Sequence, residues 1–438
     1  MAVLYETLIK QVTEMISSPW RNFFWGTDTR IRTNFGNTTR VCLNNAAMSL
    51  VAKPVTDRIR RMLPRFAYGN EPNRVSEEIR KRYEDVRGTV LDYVGGDPKR
   101  DTVIYSPSAT ASINLLSRFL LESDPEQIIL STRMEHLANF LPFRERFETA
   151  LVQLTSDGRI DMNDYLRLLI KFEGKVRLVT VTGGSNITGI IPPIHRMAEL
   201  AHEYGARILV DAAQLVQHQP FSMEPYESRK HIDFLVFDGY KCYTGQAGGV
   251  LIGPKDFLNS FRPSVYGAGI ADFVSNDQIS YLDAPTRFEA GTPNLPGILS
   301  LGEALRFLKR ISLKRISEYE GNLYRLLLRR LLEVPGITLY GTRGSGKRLP
   351  FAAFNLKGIS TDELGDALGY DYGVSIGTGT LNANLYVQDL LGLSNAQSAA
   401  LFRNGKNYGL LRASLSLYNS SEDIDRLVRA LSRIQRSK

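Results

Sequence analysis

Alternating runs of apolar and polar residues divide much of the chain into short strands and amphipathic helices. Apolar runs bounded by turn residues predict strands at Thr102–Tyr105, Gln127–Leu130, Leu151–Leu154, Arg177–Val181, Arg207–Val210, Phe234–Phe237 and Val250–Ile252. Apolar residues three or four positions apart predict helices at Thr110–Leu121, Met162–Phe172 and His195–Tyr204. Strands that alternate with helices in this way favour an α/β fold with a mostly parallel, doubly wound sheet.

The regions on either side of these segments have different patterns. Val41–Leu43 predicts a short strand, and apolar residues at helical spacing from Ile79 to Val94 predict a helix that Gly95 ends. Further along the chain, helices are predicted at Leu299–Ile311 and Ile316–Leu332 and from Ser421-Glu422-Asp423 onwards. The inner face of that last helix is predicted to consist of Ile424, Leu427, Val428, Leu431 and Ile434.

These patterns predict three parts of the chain. Residues 1–40 begin with helical spacing and continue as an aromatic, arginine-rich arm, which we expect to pack on the small domain or on a partner subunit. Residues 41–305 are expected to form a large domain, and residues 306–438 a smaller α+β domain.

The composition is that of a large globular protein, with 438 residues, 43% apolar and 23% charged. No run of about 18 apolar residues occurs, so we expect no membrane span. The N-terminal segment lacks the apolar core of a signal peptide, and we expect a cytoplasmic protein.

The net charge of +8 could attract acidic partners. The basic residues are dispersed, however, and a solvated helix face explains the densest run, which consists of Lys309, Arg310, Lys314 and Arg315. We therefore expect no nucleic-acid partner. The two cysteines, Cys42 and Cys242, form neither a disulfide framework nor a zinc-binding pattern, and no metal site is expected.

An acid and a lysine follow two neighbouring predicted strands. Asp211 comes where the strand from Arg207 ends, and Lys241 comes just after the strand from Phe234. The carboxyl ends of strands in an open parallel sheet face the ligand crevice. A lysine amine there can form a Schiff base with an aldehyde cofactor, and a carboxylate can hold a proton on a pyridine nitrogen. Taken alone, the same residues fit a surface lysine and a capping aspartate.

Six segments, in order, resemble motifs of the class V aminotransferase and cysteine desulfurase group. They are MEHLANFLPF (Met134–Phe143), SNITG (Ser185–Gly189), VDAAQ (Val210–Gln214), FDGYK (Phe237–Lys241), RFEAGTPN (Arg287–Asn294) and LRASLSLYN (Leu411–Asn419). The resemblance implies a fold of the type I pyridoxal-phosphate transferase class. It also implies that the cofactor is pyridoxal 5'-phosphate (PLP) and that the substrate is a small-molecule amino acid.

The resemblance assigns roles around the cofactor ring. Lys241 would form the Schiff base (aldimine), and Asp211 would pair with the pyridine nitrogen. Gln214 would donate a hydrogen bond to the phenolic oxygen. His136 would stack on the ring and transfer protons, and Asn186 would lie near the phenolic oxygen and the substrate.

The predicted helix that starts at Ser108-Ala109-Thr110 follows a strand directly. Free N–H groups and the helix dipole favour a phosphate at such a helix start. The resemblance assigns the cofactor phosphate to Thr110 and to the amide of Ala109, although simple N-capping would explain the same residues. Gly291 and Thr292 resemble a loop that a second subunit contributes to the phosphate, which implies a homodimer with shared active sites.

Two of the residues that precede Lys241 depart from the family pattern. The family commonly has serine or a small residue near position 238 and histidine at position 240, whereas this chain has Asp238 and Tyr240. Tyr240 can donate a hydrogen bond to phosphate. Asp238 would repel a phosphate unless it is turned away or held by a cation.

Arg412 lies on a predicted strand in which Leu411, Ala413 and Leu415 alternate with it, so its side chain is expected on the face away from the apolar core. The resemblance implies that Arg412 binds the substrate carboxylate, for which a guanidinium offers two parallel hydrogen bonds. Asn186 and Asn45 are expected beside the substrate.

A further departure concerns the reaction. Alignment of SIGTGTLNAN (Ser375–Asn384) with the desulfurase loop that carries a nucleophilic cysteine puts Asn382, a candidate substrate contact, at the position of that cysteine. An amide cannot accept sulfur as a persulfide. Cys242 is expected to be a buried packing residue and Cys42 to lie on a strand.

The sequence thus favours a PLP-dependent enzyme that removes the α-proton of an amino acid, with Lys241 as the base, and then eliminates or replaces a β or γ substituent. C–S bond cleavage without a thiol relay is the preferred reaction. Transamination is the main alternative, while epimerisation and C–C cleavage also fit. The alternative to an enzyme is a non-catalytic binding or scaffold protein with the same fold.

Overall fold

The computed structural model describes residues 16–66, 71–341 and 347–437. The helix predicted at the start of the N-terminal arm lies outside the described residues. The chain folds into two compact units. The larger unit consists of Val51–Ser185 and Ile191–Leu313, and the smaller unit of Met1–Leu50, Asn186–Ile190 and Lys314–Lys438.

The described strands are β1 (Arg30–Thr33), β2 (Gly36–Thr39), β3 (Val41–Leu43), β4 (Asp101–Ser106), β5 (Ile128–Thr132), β6 (Glu148–Val152), β7 (Val176–Thr182), β8 (Arg207–Asp211), β9 (Phe234–Asp238), β10 (Gly249–Pro254), β11 (Ala271–Val274), β12 (Ile279–Tyr281), β13 (Ile337–Tyr340), β14 (Phe351–Leu356), β15 (Val374–Gly379) and β16 (Leu410–Ser414).

The described α-helices are α1 (Lys53–Met62), α2 (Arg74–Val94), α3 (Ala109–Ser123), α4 (Leu137–Arg144), α5 (Met162–Lys171), α6 (Ile194–Glu203), α7 (Lys255–Asn259), α8 (Leu295–Ile311), α9 (Leu313–Leu332), α10 (Thr361–Asp366), α11 (Asn384–Leu390), α12 (Asn395–Arg403) and α13 (Ser421–Arg436).

Within the described residues, the larger unit contains a seven-stranded sheet in the order β4-β10-β9-β8-β7-β5-β6. The strands from β9 to β6 are parallel, as predicted, whereas β10 runs antiparallel to both of its neighbours. Only residues 239–248 connect β9 with β10. A parallel crossover needs about a dozen residues or more, so this short connection requires the antiparallel arrangement.

The strand predicted at Leu151–Leu154 begins earlier in the structure. β6 spans Glu148–Val152, and Glu148 pairs with Ile128 at the start of β5. β6 is the edge strand of the sheet, where one side is unpaired and a charged residue remains in water. The apolar pattern alone therefore located this strand three residues too late.

Helix ends in the larger unit have clear local causes. The side chain of Asn73 accepts hydrogen bonds from the first turn of α2, and Gly95 ends the helix in the left-handed conformation at φ 67°. Apolar residues of α3, including Ile113 and Phe119, pack in one cluster with sheet residues such as Leu209 and Val236. This packing holds the start of α3 against the carboxyl end of the sheet.

The smaller unit, in its described part, contains a five-stranded sheet in the order β13-β14-β16-β15-β3. Val41–Leu43, expected at the start of the large domain, is the β3 edge strand of this sheet and pairs in parallel with β15. Arg21 of the N-terminal arm forms a 2.9 Å ion pair with Asp423 of α13, which ties the arm to this unit.

The predicted inner face of α13 is confirmed. Ile424, Leu427, Leu431 and Ile434 belong to the buried core cluster of the smaller unit, and Val428 packs against it partly buried. Across the described residues, no helix combines the length and apolar character that a membrane crossing requires.

Candidate active site

Asp211 and Lys241 come together at the carboxyl edge of the large sheet. Asp211 is the last residue of β8, and Lys241 ends a 3-10 turn, Gly239–Lys241, that follows the parallel neighbour β9. Asp211 is 7% exposed, and its Oδ1 accepts a 3.0 Å hydrogen bond from the Ala213 N–H. Burial raises the pKa of Asp211, while the Lys241 charge acts to lower it. The two groups are therefore electrostatic neighbours.

His136 caps the first turn of α4. Its Nδ1 accepts a 3.1 Å hydrogen bond from the N–H of Ala138. A neutral imidazole that accepts at one nitrogen carries its proton on the other, so Nε2 is the donor. The cap thus fixes both the ring orientation and the tautomer of His136, which the sequence did not indicate.

Glu135 is a buried acid directly before this histidine, and no pattern in the sequence indicates a role for it. Its carboxyl oxygens accept hydrogen bonds from Thr132 Oγ1 at 2.6 Å and from Asn139 Nδ2 at 2.7 Å. Burial raises the pKa of Glu135 to about 8, and the Asp211 charge also raises it. Glu135 is therefore mostly protonated at neutral pH. Its place directly before His136 in MEHLAN is the one signal that could have identified it.

The carboxylate of Asp238 lies at the start of α3. Its Oδ2 accepts a 3.0 Å hydrogen bond from the Ala109 N–H, and its Oδ1 accepts from the N–H groups of Tyr240 at 3.2 Å and Gly248 at 3.3 Å. The Ala109 amide, predicted to bind a phosphate, thus donates to an acid of the chain itself. A glycine at 249 permits this approach, since a Cβ there would come within 2.3 Å of the Ser108 carbonyl carbon.

The other predicted cofactor residues of the larger unit occupy varied environments. Gln214 is buried three residues after Asp211, and Thr110 is exposed at the start of α3. Burial raises the pKa of Tyr240 to about 12, as do the nearby carboxylates, so this phenol is a hydrogen-bond donor at neutral pH. Gly291 and Thr292 are exposed, and the Gly291 N–H donates to the Ala268 carbonyl.

In the smaller unit, Arg412 is a buried cation. Its side chain lies on the β16 face opposite Leu411 and Ala413, as the alternation predicted, and the residue is 2% exposed. Nη1 donates to the Asn186 carbonyl at 2.9 Å, Nη2 donates to Asn44 Oδ1, and the buried Nε has no hydrogen-bond partner. Burial lowers the pKa of Arg412 to about 10. Among the described residues, the hydrogen-bond partners of this guanidinium include no carboxylate, and burial is the cause of its pKa shift.

The predicted substrate asparagines of the smaller unit differ in their contacts. Asn186 accepts from Arg412 through its carbonyl and donates from Nδ2 to the Leu381 carbonyl at 2.8 Å. Asn45 accepts instead from the hydroxyl of Tyr418 at 3.0 Å. The preceding residue, Asn44, contacts Arg412, and only the tertiary structure distinguishes it from Asn45.

Asn382 lies on an unusual turn. Both Leu381 and Asn382 have left-handed backbone conformations, at φ 51° and 58°, and Asn382 is exposed. Asparagine adopts this conformation more readily than most residues, whereas a leucine there is strained. The hydrogen bond from Asn186 to the Leu381 carbonyl helps to hold the turn.

Both cysteines are buried and free. Burial raises the pKa of the Cys242 thiol well above its usual range, so this thiol stays protonated. Cys42 lies on β3, as predicted. In the described residues, no group of three or more His, Cys, Asp or Glu side chains could hold a metal ion.

The family model described as aminotransferase class-V matches residues 41–427. The chain belongs to the class V aminotransferase family. A cysteine desulfurase from Escherichia coli O8 (strain IAI1) is 33% identical over 371 residues, which cover 83% of this chain and 84% of that protein. A cysteine desulfurase from Escherichia coli (strain K12) gives the same identity and coverage.

Solved structures of this class V group share the fold. The apo structure of a cysteine desulfurase from Thermococcus onnurineus NA1 has a TM-score of 0.80 at 26% identity, with 91% of this chain and 95% of that chain covered. The cysteine desulfurase CsdA from Escherichia coli has a TM-score of 0.77 at 25% identity, with 91% and 95% covered. The predicted type I fold is therefore confirmed.

Enzymes of the class V aminotransferase and cysteine desulfurase families depend on PLP. The chain offers what the ring end of that cofactor requires: a primary amine at Lys241 beside the buried Asp211 carboxyl, and a histidine of fixed tautomer. The phosphate end fits less well, because Asp238 already accepts from the Ala109 amide.

Proposed function

We propose that this protein is a PLP-dependent enzyme that removes the α-proton of an amino acid and then eliminates or replaces a β or γ substituent. The observation that carries the proposal is the lysine and buried carboxyl at the ends of two adjacent parallel strands, on a chain of this family. A scaffold without catalysis would not need a buried acid next to that amine.

The larger unit would hold the cofactor ring and move protons. When bound, PLP supplies an aldehyde for the substrate amine and a ring that accepts the electron pair left at the α-carbon. Asp211 would pair with the ring nitrogen and keep it protonated. Burial raises the pKa of this carboxyl, and a cationic ring nitrogen, like the Lys241 charge, would favour its ionised form. Lys241 Nζ would hold the cofactor at rest and take the α-proton of the substrate. His136 would stack on the cofactor ring and transfer protons, with Nε2 as its donor atom.

The smaller unit would recognise the substrate carboxylate through Arg412. A buried guanidinium with an unused Nε and a lowered pKa is electrostatically unsatisfied. A substrate carboxylate that accepts hydrogen bonds from two N–H groups of Arg412 would compensate the guanidinium charge and orient the substrate. Asn44 and Asn186 hold the guanidinium in place for this contact.

We favour C–S elimination without a thiol relay as the reaction. The curated relatives quoted above carry the name cysteine desulfurase, which supports chemistry at a C–S bond. Neither cysteine of this chain supports a relay, because both are buried and the Cys242 thiol stays protonated. Asn382 stands where the alignment puts the desulfurase cysteine, and an amide cannot carry a persulfide.

The test is to incubate the pure protein with a panel of amino acids and follow ammonia, sulfide and pyruvate. Pyruvate and free sulfide from cysteine, without an added keto acid, would support elimination. The C42A/C242A double variant is the matched control for the relay. We expect it to release sulfide at the wild-type rate, and a loss of activity with persulfide on the wild-type protein would contradict the proposal.

Transamination is the second candidate, because the family model itself describes aminotransferases. It predicts a different result in the same experiment. The cofactor would accumulate as its pyridoxamine form with an amino acid, and a keto acid would reverse the change. Such accumulation without pyruvate would replace elimination as the proposed reaction.

We further infer that the enzyme is a homodimer. Apolar side chains on and beside the β11–β12 hairpin are exposed, namely Val265, Tyr266, Phe273, Val274 and Ile279. The exposed Gly291–Thr292 loop joins this region through the hydrogen bond from Gly291 to Ala268. Exposed apolar patches of this kind support a protein interface. Light scattering should give twice the chain mass, and F273E should reduce it.

A further inference from the structure

The start of α3 is already bound by the carboxyl group of Asp238, whose pKa is raised by burial while its three backbone N–H donors act to lower it. Three amides form its first turn. Ala109 donates to the carboxylate of Asp238, and Ala111 donates to the Ser108 hydroxyl. Only the Thr110 N–H of that turn is left for another acceptor among the described residues. A helix start with one anion bound offers less to a second one.

Asp238 is built into this position and does not lie there by chance. The residue is 1% exposed, and three backbone N–H groups, from the helix start, its own turn and the loop before β10, donate to its two oxygens. Lys241 is the cation whose charge acts on it, and Asp211, Tyr240 and Cys242 are the other titratable groups that interact with it or with that lysine. No side-chain cation donates a hydrogen bond to Asp238 in the described part of the chain.

We propose that Asp238 takes the place of the cofactor phosphate at the Ala109 amide, so that the phosphate group contributes little to cofactor binding in this enzyme. A phosphate carries a charge of about −1.5 to −2 at neutral pH, so bringing it beside a buried carboxylate is unfavourable. The chain therefore holds its cofactor mainly through Lys241 and the ring contacts. This inference concerns cofactor affinity and does not depend on which reaction is catalysed.

The test compares two aldehydes that differ in the phosphate. Cofactor is stripped from the full-length protein, and PLP and 5-deoxypyridoxal are titrated by their absorbance change at pH 7.5. The quotient of the two dissociation constants isolates the contribution of the phosphate, because both aldehydes react with Lys241. We expect wild type to prefer PLP by no more than about tenfold.

The decisive variant is D238S, which removes the carboxylate and introduces the small hydroxyl residue common in the family. It should increase the preference for PLP by about tenfold or more, since like charges a few ångströms apart inside a protein repel strongly. Its affinity for 5-deoxypyridoxal should stay within about threefold of wild type, which also shows that the variant is folded.

E135Q is the control for disturbing a buried carboxyl group as such, because Glu135 lies in the same unit and is mostly protonated at neutral pH, so this substitution removes no charge. Its preference for PLP should equal that of wild type. A wild-type preference of a thousandfold or more that D238S leaves unchanged would overturn the proposal. Failure of the elimination assay would leave these binding constants intact, so the two proposals fail separately.

Discussion

Replacing Arg412 by methionine should abolish carboxylate recognition and leave the fold stable. The magnitude follows from the burial of the guanidinium. Its pKa of about 10, against an ordinary 12.5, corresponds to a cost of about 3 kcal/mol for keeping the charge buried, at about 1.4 kcal/mol per pKa unit. A bound carboxylate recovers that cost, so R412M should lose about 100-fold in affinity for it.

The effect on stability separates a binding role from a structural one. R412M removes the buried charge, which stabilises the fold, and loses the hydrogen bonds to Asn186 and Asn44, which destabilises it. Each bond to a charged group contributes about 1.5–3 kcal/mol, so losing two of them costs about 3–6 kcal/mol, and removing the buried charge offsets most of that cost. We expect the free energy of unfolding to stay within about 2 kcal/mol of wild type, whereas breaking a buried ion pair costs about 3–5 kcal/mol.

The assay pairs each amino acid with the amine that lacks its carboxyl group, for example alanine with ethylamine. Binding to the PLP-loaded protein is followed by cofactor absorbance, and unfolding by urea. Wild type should prefer the acid by about 100-fold, and R412M should prefer neither. R412K keeps the charge without the planar fork and should recover only part of the preference. An unchanged preference in R412M, or a loss of stability above about 3 kcal/mol, would refute the assigned role.

Three further outcomes test other parts of the larger unit. K241A should lose the visible absorbance that wild type shows with PLP, and an unaltered spectrum would contradict the assigned linkage. Buried Arg87 donates two 2.8 Å hydrogen bonds to the carboxylate of Glu289, and E289Q should lower the free energy of unfolding in urea by about 3 kcal/mol. Its control is E84Q, at an exposed partner of the same arginine, which should lower that free energy by less than about 1 kcal/mol. Glu135, with a folded pKa of about 8 against 4.5 unfolded, keeps its proton longer when folded, so wild type should lose up to about 4 kcal/mol relative to E135Q as pH rises from about 4.5 to 8. A difference between these two proteins that does not change with pH would show that Glu135 is ionised in the fold.

Regular patterns made most of the large sheet predictable from sequence. Strands β7, β8 and β9 are almost entirely buried and mainly apolar, so their positions were predicted within a residue or two. The edge strand β6 was misplaced because one side of it faces water and its first residue is charged. The pairing of β3 with β15 joins residues more than 300 positions apart, which no local pattern encodes.

The candidate site residues that come directly after parallel strands could be predicted from the sequence. Asp211 and Lys241 were identified because parallel strands bring their carboxyl ends to one edge. The contact between Asn44 and Arg412 could not be predicted, because Asn44 and Asn45 are adjacent residues of the same type. Only the folded chain shows that Asn44 contacts Arg412 and that Asn45 contacts Tyr418. Asp238 was recognised as a departure, but its contact with Ala109 spans 129 positions and required the folded chain.

The left-handed turn at Leu381–Asn382 limits what a cysteine introduced at position 382 could do. A thiol at position 382 would stand on backbone that cysteine adopts less readily than asparagine, next to a leucine in the same conformation. A single-codon change to cysteine would thus supply the sulfur atom without a relaxed loop to carry it. A relay cysteine introduced at this position would therefore require rebuilding the turn together with the residue.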